Sequence, residues 1–156
     1  MSFRYAHLTP SPKRVGQIKT SFQGTTAIPA NTCFISSIWI PNMRTYRYIK
    51  TVATLGAGNI QAGIYNEQFQ AVKLSSPQAV VLGKITIDLG AFIMLAGNYW
   101  IAIAVDSAIQ FFGMDGTPRR LGNTSKSCLT SYPLPSTLTI AQQSEPVGPH
   151  VLLEGT

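Results

Sequence analysis

The chain has 156 residues, 45% of them hydrophobic and 12% charged, with a formal net charge of +6. That length suits one domain able to bury roughly 70% of the surface of its extended chain, which excludes a second full domain. The charged share is about half that of an average soluble protein, so uncharged polar residues or a neighbouring subunit must cover much of the surface.

Residues 1–30 read as an irregular arm, interrupted by Pro10, Pro12, Gly24 and Pro29, with Phe3, Tyr5, Ile18 and Phe22 as anchors against its own domain or a neighbour. The opening stretch lacks the continuous apolar run of a secretory signal. Seven bases and no acid fall in residues 1–50, against five bases and six acids afterwards. With no dense basic run and no stacking aromatics in register, this excess points to solubility or an acidic partner surface, and nucleic acid is not an expected partner.

Residues 31–156 are predicted to form a single domain. "CFISSIWIP", Cys33 to Pro41, is a strand by its β-branched and aromatic content and is closed by proline. "MRTYRYIKTVATLG" has no purely apolar parity and predicts an outer or edge strand. "GAGN", Gly56 to Asn59, lacks the Lys-Ser/Thr of a phosphate loop and predicts a turn. "NIQAGIY" and Gln70 to Leu74 form a hairpin around "YNEQ". "KITIDLG" then turns Ile85, Ile87 and Leu89 inward.

"LAGNYWIAIAVDS", Leu95 to Ser107, is apolar on both parities. The uncharged interval around it is shorter than the roughly 20 residues of a spanning helix, and Asp88 and Asp106 bound it, so no membrane insertion is expected. Gly97-Asn98 before Tyr99, Ile101, Ile103 and Val105 predicts a central strand. Its second face, with Ala102 and Ala104, must be covered by the arm, a loop or another subunit. Ala108–Met114, "STLTIAQ" and "HVLLE" complete about eight short strands with no helix. The expected fold is all-β: an antiparallel β-sandwich, jelly-roll-like.

The chemical inventory is thin. His7 and His150 lie at opposite ends of the chain, and no serine sits in a nucleophile elbow. Asp88 and Asp106 read as strand-end residues rather than a glycosidase pair, and Asp115 lacks the further oxygens of a calcium loop. No metal and no cofactor are predicted. Cys33 and Cys128 read as buried thiols, with one long-range disulfide left open. Tyr46, Tyr48, Tyr65 and Trp100 are the aromatics available to stack on a sugar. The safer recognition positions lie in two loops: Tyr65, Asn66 and Gln68 in one, Asp115, Arg119 and Asn123 in the other.

Gly63-Ile64-Tyr65, followed by "KITIDLG" and by Gly97, Tyr99, Trp100 and Ala102, resembles β-sandwich domains of bacteriophage tail fibres and fibre-like virion proteins, over residues 33–113. The resemblance implies a non-enzymatic viral structural protein located in the virion: a capsid or tail decoration or host-attachment subunit. It also implies a homo-oligomer, with a trimer favoured, and other virion proteins as partners. A carbohydrate-binding module, meeting a host-surface glycan, is the alternative.

Overall fold

Alternating apolar residues form strands because period two places one side-chain set in the core and the other outside it. The computed structural model describes residues 14–16, 22–115, 125–128, 132–145 and 147–156. Among these the strands are β1 (Arg14–Gly16), β2 (Phe22–Ile28), β3 (Thr32–Ile40), β4 (Arg44–Leu55), β5 (Asn59–Tyr65), β6 (Ala71–Leu74), β7 (Gln78–Ala79), β8 (Gly83–Met94), β9 (Gly97–Val105), β10 (Ile109–Asp115), β11 (Ser125–Cys128), β12 (Ile140–Glu145), β13 (Val147–Pro149) and β14 (Leu152–Gly155). All pairings between them are antiparallel.

The first sheet runs β1-β14-β4-β10-β13, with β8 beside β4 and β2 beside β10; the second runs β12-β11-β3-β9-β5-β6, with β7 beside β5. This is a two-sheet antiparallel sandwich. Its strands outnumber the eight expected because β1, β7, β11 and β13 are two to four residues long, too short to leave a periodic signal. β2 falls where an irregular arm is expected. Its Gly, Thr and Ala content carries little hydrophobic pattern, and β10 supplies its pairing. No helix among the described residues is long and apolar enough to cross a membrane.

β9 is central as expected, between β3 and β5. Its inward residues Ile101, Ile103 and Val105 meet Ile49, Ile85, Ile87, Phe111 and Leu153 of the first sheet in the main core. Each fully buried Ile contributes roughly 1.5–3 kcal/mol. On the opposite face Ala102 and Ala104 lie with Cys33, Ile35 and Tyr65 beneath Leu134 and Leu138. The cover is thus a strap of the chain itself, residues 132–139.

Polar groups fasten that strap. Leu134 N–H donates to Gln61 Oε1 at 2.7 Å, and Gln61 Nε2 donates to the Ser75 carbonyl at 2.8 Å. Tyr65 Oη donates to the Pro135 carbonyl at 2.6 Å. Backbone bonds from Ala71 N–H to Ser136 O and from Leu138 N–H to Phe69 O extend the seam. Buried amides are expensive unless paired, and Gln61 is paired at both ends.

β4 is not an edge strand: β8 flanks it on one side, β14 and β10 on the other. Its mixed pattern comes from a bulge. Tyr46 pairs with Gly155 and Tyr48 with Glu154, leaving Arg47 as the extra residue, so Tyr46 and Ile49 are both buried although their parities differ. The "GAGN" segment is the β4–β5 turn, as expected. Gly56 has φ +113°, and a Cβ there would stand 2.8 Å from the Ala108 carbonyl oxygen, so only glycine fits without strain.

Candidate functional site

Strand pairing brings three connections to one end of the sandwich: residues 41–43, 66–70 and 95–96. Ile40 lies opposite Gly97, Arg44 opposite Met94, and Tyr65 opposite Trp100. On the outer face of the second sheet, the β3–β9 pairs run Cys33 with Ala104, Ile35 with Ala102, Ser37 with Trp100 and Trp39 with Asn98. The strap packs over the first two pairs. The last two continue to the loop end.

Among the described residues β11 pairs β3 only from Cys33 to Ser36, so the stretch carrying Ser37 and Trp39 extends beyond it. Trp39 is 38% exposed, whereas its strand neighbours Ile38 and Ile40 are buried in the main core. Trp100, half-buried, stands diagonally across from Trp39, at the separation where large side chains meet on a sheet face. Its ring centroid is 5.5 Å from that of Phe69, the planes tilted by 32°. Asn98 Nδ2 donates to Glu67 Oε1 at 3.1 Å, tying the 66–70 loop to the aromatic face.

The outcome is an indole surface beside an amide and a carboxylate fixed against each other. The Asn98 carbonyl and the Glu67 carboxylate keep acceptor capacity for a ligand's hydroxyls. An aromatic face with a few positioned polar groups is the general form of a small-ligand site. Within the described residues no three His, Cys, Asp or Glu side chains gather to hold a metal ion.

The residues expected to recognise a ligand are placed unequally. Tyr65 is fully buried and its hydroxyl holds the strap, which removes it from the surface. Asn66 is consumed by its own turn: Oδ1 accepts the N–H groups of Gln68 at 2.9 Å and Gln70 at 3.0 Å, and Nδ2 donates to Gln70 Oε1. Gln68 is exposed in the same loop as Glu67. Asp115 ends β10 with its backbone opposite Val147; Arg119 and Asn123, like His7, lie outside the described residues. Tyr46 is buried. Trp39 and Asn98 were not expected. Their signal was parity: Trp39 shares a face with Ser37, opposite to Ile38 and Ile40 of the main core.

The outer face of the first sheet carries two ion pairs among the described residues. Arg47 grips Asp88 through Nε at 3.0 Å and Nη2 at 2.8 Å, with its guanidinium 5.2 Å from the centre of the Tyr48 ring; Lys50 pairs with Glu154 at 2.8 Å. The Arg47 hydrogen bonds, then the Gly90 N–H, hold the Asp88 carboxyl below its usual range. Asp106 follows β9 in the other sheet and accepts Asn59 N–H at 2.8 Å and Asn59 Nδ2 at 2.7 Å. Both carboxylates are taken up by these hydrogen bonds; Asp88 lies within β8 rather than at the strand end expected for it, and Asp106 directly follows β9.

No family model and no curated protein matches the chain. Among solved structures, a clostridial cysteine protease after propeptide cleavage is similar over 94% of this chain and 41% of its own, with 7% identity and a TM-score of 0.59. A Ruminococcus gnavus GH29 fucosidase in complex with fucose aligns over 56% of this chain and 18% of its own at 8% identity, with a TM-score of 0.37. A mutant of that fucosidase gives 61% and 20%, 8% identity and 0.39. The chain spans less than half the length of each. The similarity to the protease chain corrects the expectation of a non-enzymatic viral structural protein. The same two-sheet fold is found within a protease chain, so the sandwich motifs that carried the resemblance mark a fold shared with enzymes.

Proposed function

We propose that the sandwich binds a glycan on the outer face of its second sheet, at Trp39, with Asn98 and Glu67 as hydrogen-bonding partners and Trp100 and Phe69 as the apolar shelf. The observation that carries this reading is the exposed Trp39 indole directly across the ladder from Asn98, whose amide is anchored by Glu67. A sugar ring has an apolar C–H face and a hydroxyl edge, and this surface offers a counterpart to each. The reading assigns binding and leaves catalysis unassigned. The alternation along the chain of β3, β5, β9 and β11 in one sheet with β4, β8 and β10 in the other supports a jelly-roll-like topology.

The test is glycan-array screening of the full chain, followed by calorimetric titration of the best ligand. Trp39→Ala should weaken binding at least ~10-fold, a loss of about 1.4 kcal/mol, with the β-sheet circular dichroism signal unchanged. Wild-type protein that binds no glycan, or a Trp39→Ala protein that binds as wild type does, overturns the proposal.

A second reading, homo-oligomerisation, is favoured by a separate observation at the same end. Met43, Ile93 and Leu95 are 62–66% exposed and flank the paired residues Arg44 and Met94 and Thr45 and Ile93 of the first sheet. Contiguous exposed apolar side chains mark association surfaces. A second copy of the chain meeting this first-sheet side would leave the Trp39 face outward.

A further inference from the structure

We infer that Cys33 and Cys128 form a cross-strand disulfide that staples β11 to β3 when the chain meets a thiol-oxidising environment. Far apart in sequence, they are brought to directly opposite positions by an unbroken antiparallel register: Ser125 with Ser36, Lys126 with Ile35, Ser127 with Phe34 and Cys128 with Cys33. Opposite residues in an antiparallel ladder have Cα atoms about 5.5 Å apart at hydrogen-bonded pairs and about 4.5 Å apart at the others. Both values fall inside the roughly 4.4–6.8 Å that a disulfide spans, so the backbone register is compatible with the bond.

Its surroundings suit a lasting structural bond. Cys33 is buried beside Ile35, Ala102, Ala104 and Leu134, where a disulfide is shielded from soluble reductant. β11 is four residues long and connects two longer partners, β3 and β12. A covalent tie at its last residue reinforces a ladder of only four residue pairs.

The chemistry balances with a low-molecular-weight disulfide, such as oxidised glutathione, as the oxidant. One cysteine thiolate attacks a glutathione sulfur, giving a mixed disulfide and releasing one glutathione thiolate. The second cysteine thiolate displaces the other. Two protein thiols are oxidised to one disulfide, two glutathione thiols are produced, and the two protons lost by the cysteines pass to the released thiolates. Because Cys33 is buried, exchange takes place before β11 docks or when it opens.

The test refolds the full chain in a glutathione redox buffer, alkylates it under denaturing conditions and measures intact mass and linked peptides. The expected product is monomer-linked: no alkyl group on either cysteine, a mass about 2 Da below that of the reduced chain, and one disulfide-bonded peptide pair carrying Cys33 and Cys128. Reduction before alkylation should add two alkyl groups. The oxidised protein should melt above the reduced one, and Cys128→Ala should erase that difference while leaving Cys33 to take one alkyl group. Two alkylated thiols after oxidative refolding, persistent glutathione adducts, a disulfide-linked dimer, or equal melting midpoints for the two wild-type forms overturns the inference.

Discussion

Asp106 illustrates how much of this molecule rests on single side chains. Its carboxyl is held below the usual carboxylate range first by the Asn59 backbone N–H and then by the Asn59 side-chain amide; Asp88 is held down by Arg47 and Gly90. In both, the unfolded chain binds protons more readily than the folded one, so stability rises with pH between the folded and unfolded values. The melting temperature should therefore be flat through neutral pH and fall once pH drops below about 4, where unfolded carboxyls begin to protonate, and on through the lower folded values. Asp106→Asn should lower stability at neutral pH and flatten the acid limb. A melting temperature that rises on acidification would contradict this assignment. The residue scale is also where sequence reading failed most. Tyr65 reads as a loop aromatic, and nothing near it in sequence announces the Pro135 carbonyl, 70 positions on, that its hydroxyl meets.

At the scale of elements, legibility followed the regularity of the pattern. β8 and β9 were plain because Ile85, Ile87 and Leu89, and Ile101, Ile103 and Val105, keep period two in a face that is wholly buried. β4 misled because its bulge at Arg47 shifts parity in mid-strand, and β2 because pairing rather than hydrophobic pattern makes it a strand. The need for a cover over Ala102 and Ala104 was legible, but not its identity: the strap is rich in proline and has no period of its own. Its grip is testable. Leu134 is buried against the outer face, so Leu134→Ala should cost roughly 2–5 kcal/mol in urea unfolding, whereas Val72→Ala, at an exposed strand position, should stay within about 0.5 kcal/mol. Equal effects would mean that the strap is only loosely applied.

For the whole molecule, the paucity of charge and the apolar end belong together. Only 12% of residues are charged, while Met43, Ile93 and Leu95 stand exposed in adjoining positions. Native mass spectrometry at micromolar concentration should find an assembly larger than one chain, and Ile93→Lys should return it to monomer with its circular dichroism intact. A wild-type monomer would remove the association reading while leaving the Trp39 surface to be judged by its own ligand measurements. The candidate site was half visible in the sequence: Trp100 and the loop of Asn66 and Gln68 were named, but Trp39 went unnoticed in β3, where apolar residues occupy both faces.

Gln61 carries a consequence for how such a domain comes together. Its amide nitrogen is occupied by the Ser75 carbonyl, so its oxygen is already aimed where Leu134 N–H will arrive. The hairpin that leads to Ser75 and a segment much farther along the chain are thus joined through one side chain, whose bond helps offset the entropy of closing the long intervening loop. A register slip between β5 and β6 would propagate outward as an unlatched lid, turning a local pairing error into exposure of a whole greasy layer.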